Sequence, residues 1–329
     1  MNSLSSIKEE ILKAKKIAMS FHTSPDGDAV GSTLALLNAF KILKINAYVI
    51  SRDVIPDNLS FLPLSETIEY ENTKPTSDTD LVIIMDCGNA DRISADLSGY
   101  SGKIINIDHH LSNEMYGHLN YVESDSAAAS ELSYLIIKEL GIEFDNSQEK
   151  LNVCKCIYTG IVTDTGSFRH SNVTERTHKI VSELIKCGIN NAEIHSLLFD
   201  NKPYEKIKLI GAVLSNLKLE LNEKAAVLKV TKQALEQLNL VKCDTSDVIN
   251  MGLGIKGVEA ALFLKEVDEG VKLSLRSKNN VDVRKVAEVF GGGGHTKAAG
   301  GMIKDISLEC AEKEVLKELR KELDDKNLL

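Results

Sequence analysis

Four short runs of nearly continuous β-branched and aliphatic residues mark the first part of the chain: IAMSFH (17–22), NAYVIS (46–51), LVIIMD (81–86) and KIINID (103–108). Runs of this length predict strands buried on both faces of a sheet. Between the first two lies AVGSTLALLNAFKILK, whose leucine and alanine spacing predicts a helix. Strand, helix, strand at this separation predicts a βαβ unit and a parallel sheet. Helical periodicity follows over 126–140, 148–162, 174–186 and 191–198.

The pattern changes near LLFDNKPYEKIKLIG, where Pro203 follows a polar break. Beyond it come the strand-like stretches LKLEL, AAVLKV, GVEAALFLKEV and VKLSLRS. They are followed by a helix VDVRKVAEVF, the run GGGGH and a charged helix LECAEKEVLKELRKELDD. The reading is an α/β protein with a parallel-sheet domain over 1–190, a linker over 191–205 and a smaller α+β domain over 206–329. Two domains suit 329 residues.

No stretch reaches the roughly 18–20 apolar residues of a membrane span. The first segment, MNSLSSIKEEILKAKK, reads as a charged helix capped by Ser3 or Ser5 and lacks the pattern of a signal peptide. A cytoplasmic protein without a membrane partner is expected. The formal net charge of −9 argues against a broad basic surface for long nucleic acid. The cysteines at 87, 154, 156, 187, 243 and 310 are scattered, mostly in apolar segments, and read as buried reduced thiols rather than a zinc or redox pair.

Three strand-like runs end in acids or histidines: the first leads into His22, Asp26 and Asp28, the third into Asp86, the fourth into Asp108, His109 and His110. In a parallel α/β sheet the carboxyl ends of the strands lie along one edge, where ligands bind. Several carboxylates gathered there would repel one another unless cations sat among them. Mixed carboxylate and imidazole donors suit manganese, magnesium or iron-class ions better than structural zinc. More aspartates than one ion needs point to two divalent ions, with Asp86 as the natural bridge. A pair of ions can activate water and clamp the oxygens of a phosphoryl displacement. Taken alone, PDGD is also ordinary turn and helix-cap chemistry, and DHH can be a surface pair.

HTSPDGDAVGS, IIMDCG, DHH and IVTDTGSFRHS, in this order, resemble the four motifs of the DHH phosphoesterase superfamily. GGGGHTKAAGG at 291–301 resembles the signature of the DHH-associated C-terminal domain. The closest pattern is the nanoRNase and pAp phosphatase branch. The resemblance implies that His22, Asp26 and Asp86 hold one metal, and Asp28, Asp86, His109 and Asp164 the other. It gives His110 the substrate phosphate and Asp108 the task of positioning the motif. Asp164 is singled out only by motif order, since YTGIVTDTGSF by itself is an apolar helix ending near Gly166.

GGGGH follows a helix rather than a strand, so it fails as a dinucleotide loop. It reads instead as a shaped loop whose glycine N–H groups, at Gly292, Gly293 and Gly294, can nest an anion. The resemblance assigns substrate phosphate or nucleotide binding to this loop with His295 and Arg276. Arg92, and Arg169 with His170, stand close in sequence to metal motifs and suit either phosphate contacts or surface ion pairs. His118, His178 and His195 read as structural.

The resemblance implies a manganese-dependent phosphoesterase that cleaves very short RNA to mononucleotides, and pAp to AMP. A site for two to five nucleotides needs no long basic track. Cyclic di-AMP or pApA hydrolysis would use the same chemistry. Inorganic pyrophosphatases lack this second domain, RecJ-type exonucleases carry further modules, and a regulator without catalysis would not need complete metal motifs. The apolar helices after residue 126 offer a surface for a homodimer.

Overall fold

The computed structural model describes residues 2–238, 240 and 246–329. It divides into two compact units, Met1–Asn201 and Lys202–Leu329.

The first unit begins with α1 (Leu4–Lys13), capped by Ser3, then β1 (Ile17–Ser20), α2 (Gly27–Leu43), β2 (Ala47–Val49), β3 (Leu81–Met85), β4 (Lys103–Asp108) and β5 (Leu119–Val122). It continues with α3 (Ala129–Glu139), α4 (Gln148–Asp164), α5 (Glu175–Lys186) and α6 (Asn191–Phe199). The sheet is all parallel in the order β2-β1-β3-β4-β5. Alternation along the strands explains the continuous apolar runs. Ile17, Met19, Ile83, Met85, Ile105 and Ile107 join the large core with the helices, while Ala18, Val82 and Ile84 pack on the other side against Cys87, Ile93 and Ala95.

Helices therefore cover one face, and irregular chain after β3 covers the other, so the sheet is not wound by helices on both sides. α2 is apolar all round and buried along most of its length. LNYV was not predicted as a strand; it is short, carries Asn120 at its second position and pairs only at the sheet edge. The apolar residues of α3 and α4 offered as a dimer surface, Leu132, Ile136, Ile157 and Ile161 among them, lie in the protein's own core. Most of the expected linker is α6, whose Ile194 and Leu198 are buried with the first unit; the break falls at Asn201.

The second unit comprises α7 (Tyr204–Ser215), β6 (Lys218–Glu220), β7 (Ala225–Val230), α8 (Lys232–Gln237), α9 (Ser246–Leu253), β8 (Ala260–Val267) and β9 (Gly270–Ser277). α10 (Val283–Val289), β10 (Gly293–His295), β11 (Ala298–Lys304) and α11 (Leu308–Asp325) follow. Its sheet runs β10-β11-β9-β8-β7-β6, antiparallel except for β7 beside β8. α10 and α11 pack on one face, and α7 and α9 on part of the other.

The glycine run corrects the loop expectation: Gly293–His295 is an edge strand paired with Ala298–Gly300. Cys87, Cys154, Cys156 and Cys187 are buried free thiols, Cys310 is exposed, and Cys243 lies outside the described residues. Among the described residues no helix is long and apolar enough to cross a membrane.

Candidate metal centre at the strand ends

His22 stands two residues beyond β1 and Asp86 one beyond β3, while Asp108 ends β4 and His109 follows it. β1 and β3 are the neighbours at which a 2-1-3-4-5 sheet changes winding direction, the place where such sheets bind ligands. Asp26 caps α2: its Oδ1 accepts from the N–H groups of Asp28 (3.0 Å) and Ala29 (3.1 Å). The cap reading of PDGD thus holds together with the site reading, because the other oxygen, Oδ2, lies 3.8 Å from His22 Nε2. Asp164 ends α4.

Asp86 lies between two imidazoles. Its Oδ2 is 3.6 Å from His22 Nε2 and its Oδ1 3.5 Å from His109 Nε2. His109 Nε2 is also 3.6 Å from Asp164 Oδ2 and 3.8 Å from Asp28 Oδ2. These separations exceed hydrogen bonds. Within His22, Asp26 and Asp86, and within Asp28, His109 and Asp164, the ligand atoms all lie within 4.8 Å of one another; Asp86, His109 and His110 form a further such group. Asp86 Oδ1 is buried without a hydrogen-bond partner. An orphan carboxylate oxygen beside imidazole nitrogens fits a divalent cation, and Asp86 is common to both sides of the cluster.

Both candidate ligand histidines are held in the required tautomer. His22 Nδ1 lies 2.9 Å from the Thr23 carbonyl and His109 Nδ1 3.1 Å from the Ser126 carbonyl. A carbonyl only accepts, so each Nδ1 keeps its proton, and Nε2, which faces the carboxylates, is the nitrogen left to ligate a cation once the imidazolium gives up its other proton.

The charges agree. Burial, then the charges of Asp86 and Asp164, raise the Asp28 carboxyl well above its ordinary range. Burial pushes Asp164 up to about 7. For His22 burial opposes the charged form, but Asp86 and Asp26 outweigh it and push the imidazole up to about 9; His109, likewise buried, is driven by Asp86 and Asp28 to about 11. Burial works against ionised Asp86, yet His109 and His22 hold it well below the usual carboxylate range. These side chains together retain protons because they call for positive charge.

His110 Nδ1 donates to fully buried Asp108 at 2.7 Å, and Asn113 Nδ2 donates to the second Asp108 oxygen at 2.5 Å. Asp108 thereby orients His110, which is partly exposed at the same edge. The Arg92 guanidinium comes within 3.4 Å of His22 Nδ1. Arg169 donates to the Gly166 carbonyl and His170 contacts the Asp164 carbonyl, so both shape the turn after α4. His118, His178 and His195 meet Ile104 N–H, Phe168 and Tyr158 respectively.

Several supports were not read from sequence. Both Asp28 oxygens accept from the start of α3, at Ala129 N–H (2.6 Å) and Ser130 N–H (2.9 Å). A Cβ on Gly160 would fall 1.9 Å from Ser130 Oγ and 2.6 Å from Asp28 Oδ1, so this glycine makes room for the carboxylate. Fully buried Glu131 accepts from Ser126 Oγ (3.1 Å) and Arg176 Nε (3.1 Å), bracing the segment whose carbonyl holds His109. Only Glu131, an acid within the apolar period of its helix, carried a local signal.

Apart from Arg92, the expected substrate-side residues belong to the second unit. Arg276 on β9 pairs with Ala298 on β11, and its Nη1 donates to the Leu275 carbonyl. Gly292 and Gly294 are explained by close approach of β11: a Cβ would fall 2.3 Å from the Gly300 carbonyl oxygen and 2.5 Å from that of Ala298. The backbone of His295 pairs with Ala298, and its side chain lies outside the described residues.

Residues 16–161 match the DHH family, N-terminal domain, and residues 222–326 the DHHA1 domain. The chain is 33% identical over 316 residues to the bifunctional oligoribonuclease and PAP phosphatase NrnA of Thermus thermophilus, covering 95% of this chain and 93% of that one. It is 31% identical over 284 residues to the protein of the same name from Bacillus subtilis, covering 86% and 87%. Among solved structures, an exopolyphosphatase-related protein from Bacteroides fragilis superposes with a TM-score of 0.89 at 28% identity, covering 98% and 96%. RecJ of Thermus thermophilus, solved with Mn2+, shares the fold with a TM-score of 0.56 at 14% identity, over 97% of this chain and 53% of that one. Motif order, strand-end geometry and these likenesses converge: the chain belongs to the DHH family and is a DHH phosphoesterase carrying a DHHA1 domain.

Proposed function

We propose that this phosphoesterase hydrolyses short oligoribonucleotides to mononucleotides and converts pAp to AMP, using two manganese ions. The observation that carries the chemistry is Asp86, one oxygen toward His22 and the other toward His109. The substrate class is supported by the two relatives named as oligoribonucleases and PAP phosphatases over nearly their whole length.

His22, Asp26 and Asp86 would hold one ion, and Asp28, Asp86, His109 and Asp164 the other. Such ions lower the pKa of a water and neutralise charge on phosphoryl oxygens. The chain's own part is positioning. Thr23 and Ser126 fix the imidazole tautomers. Asp108 raises the basicity of His110 through its hydrogen bond, so the imidazolium is favoured and can face a phosphoryl oxygen with positive charge. Arg92 adds a cation beside His22, and Arg276, the glycine strand and His295 grip the nucleotide end. Water adds to phosphorus and the scissile P–O bond breaks, its oxygen leaving with a proton. The net charge of −9 supports a short substrate over long nucleic acid.

The test supplies Mn2+ and compares pApA, a pentaribonucleotide, a 20-mer, cyclic di-AMP, pAp and pyrophosphate. Efficient turnover of the dinucleotide, pentanucleotide and pAp is expected. Pyrophosphate as the only good substrate, or preference for the 20-mer, overturns the reading.

A further inference from the structure

Along β4 the side chains alternate between the two faces of the sheet. Ile105 and Ile107 enter the core with the helices, so Asn106 and Asp108 stand on the other face, where both are fully buried. An amide inside an interior strand is costly unless its polar atoms find partners. Asn106 finds them all: Nδ2 donates to the Cys87 carbonyl (3.1 Å) and to Tyr116 Oη (2.9 Å), while Oδ1 accepts from Asn113 Nδ2 (2.8 Å). Tyr116 Oη in turn donates to the same Cys87 carbonyl (2.8 Å). Asn113 Nδ2 also donates to Asp108, and Asn113 Oδ1 accepts from Met115 N–H (2.7 Å).

Every direction in this network is fixed. A carbonyl only accepts, so Asn106 must turn Nδ2 to Cys87 and leave Oδ1 for Asn113; Asn113 must then turn Nδ2 inward and Oδ1 to the backbone. The two ends of the network reach the metal centre from different strands. Cys87 follows Asp86, whose φ of 51° lies in the left-handed region that is uncommon for a residue with a side chain. Two donors on the next carbonyl hold that turn. At the other end Asn113 holds one oxygen of Asp108, whose second oxygen holds His110. Gly88 lets the ends come close: a Cβ there would fall 3.3 Å from Asp108 Oδ2 and 3.4 Å from His110 Cβ.

We infer that Asn106, Asn113 and Tyr116 are positioning residues, a single network that aligns the imidazole of His110 with the bridging carboxylate of Asp86. The inference rests on the proposed place of His110 at the substrate phosphate. None of the three is among the residues gathered as candidate metal ligands. Without Asn113, one Asp108 oxygen is released and the His110 ring is free to swing from the phosphoryl oxygen. That loss weakens charge stabilisation in the transition state more than it weakens substrate binding. Without the Tyr116 hydroxyl, Asn106 alone holds the Cys87 carbonyl, and the turn at Asp86 loosens. Packing makes a different demand at Asn113: an isosteric Asp would satisfy it, although Asp has no N–H to give and would set a second carboxylate against Asp108.

The experiment measures kcat and KM of the full chain with Mn2+ on a dinucleotide and on pAp, Mn2+ affinity by calorimetry, and thermal unfolding in chelator. Asn113→Ala is expected to lower kcat about 10- to 100-fold, with KM and Mn2+ affinity close to wild type. Asn113→Asp should lose at least as much kcat as Asn113→Ala. In a His110→Ala background Asn113→Ala should lower kcat no further, because residues that act as a unit are not additive. Tyr116→Phe should weaken Mn2+ binding severalfold. Asn113 lies in a loop and is half-buried, so its variants should unfold only slightly below wild type. Wild-type kcat in Asn113→Asp, or full additivity with His110→Ala, overturns the link to His110; unchanged Mn2+ affinity in Tyr116→Phe overturns the link to Asp86. Wild-type kcat in His110→Ala removes His110 from the phosphate and the inference with it. A wild type that cleaves neither substrate overturns the proposed function, and calorimetry on Tyr116→Phe then still decides the link to Asp86.

Discussion

Asp28 Oδ2 accepts a 2.6 Å hydrogen bond from the backbone N–H of Ala129, joining the first turn of α2 to the first turn of α3 across 101 residues of chain. The N-cap residue of α3, Ala128, has no capping side chain, so the carboxylate of a candidate metal ligand supplies the cap. Metal binding and helix docking therefore share one side chain.

Asp28→Asn separates the two tasks. In chelator the amide keeps one of the two acceptors that the helix uses and sets a donor against the other N–H, so its unfolding temperature should fall modestly below wild type. With saturating Mn2+ the wild type should gain stability, about 2.7 kcal/mol at 100 times the dissociation constant. The variant should lose most of that gain. Thermal unfolding with and without Mn2+ measures both; an unchanged Mn2+ effect would remove Asp28 from the ligand set.

The pH dependence follows from the raised proton affinities. His22, at about 9, and His109, at about 11, bind protons more tightly in the folded chain than at the ordinary value of about 6.5. Their contribution is complete below about 6.5 and is lost as pH rises through the folded values. Asp164, raised to about 7, acts in the same direction at lower pH. Stability in chelator should thus fall between pH 6.5 and 9, on the order of 1–3 kcal/mol. Divalent ions compete with those protons, so the Mn2+-induced rise in unfolding temperature should grow over the same interval. Denaturation at pH 6.5, 7.5 and 9 checks both signs.

Gly160→Ala places a methyl group where Ser130 Oγ and Asp28 Oδ1 already lie. Overpacking of this kind costs about 1–3 kcal/mol. Because the displaced atom belongs to Asp28, Mn2+ affinity measured by calorimetry should fall as well. Lost stability with unchanged affinity would mean that only Ser130 had moved.

Arg176 and Glu131 test the brace behind His109. Arg176→Met leaves the fully buried Glu131 carboxylate without its guanidinium, which should cost about 3 kcal/mol. Adding Glu131→Gln should recover much of that in urea unfolding. Arg176→Lys should retain more Mn2+ affinity than Arg176→Met, for which a loss of about 10- to 100-fold is expected from a disturbed ligand support.

The sequence by itself determined four of the five strands of the parallel sheet, the two-domain order and the identities of the acids and histidines at the strand ends. Continuous apolar runs, helical spacing and motif order are local properties, and they survive in one dimension. What only the tertiary structure decided was how those residues are held. The Ser126 carbonyl lies 17 residues from His109, Ala129 lies 101 from Asp28, and Glu131 meets Arg176 across 45; no local pattern encodes these partners. The end of the glycine run became a strand by pairing with Ala298–Gly300, and β11 comes close enough to exclude a side chain at Gly292 and Gly294. β5, a short edge strand, is defined by what it pairs with, and for α6, whose helix was legible over 191–198, only its packing into the first unit was decided by the tertiary structure. Periodicity reports which face of an element is buried, while the choice of neighbour belongs to the assembled core.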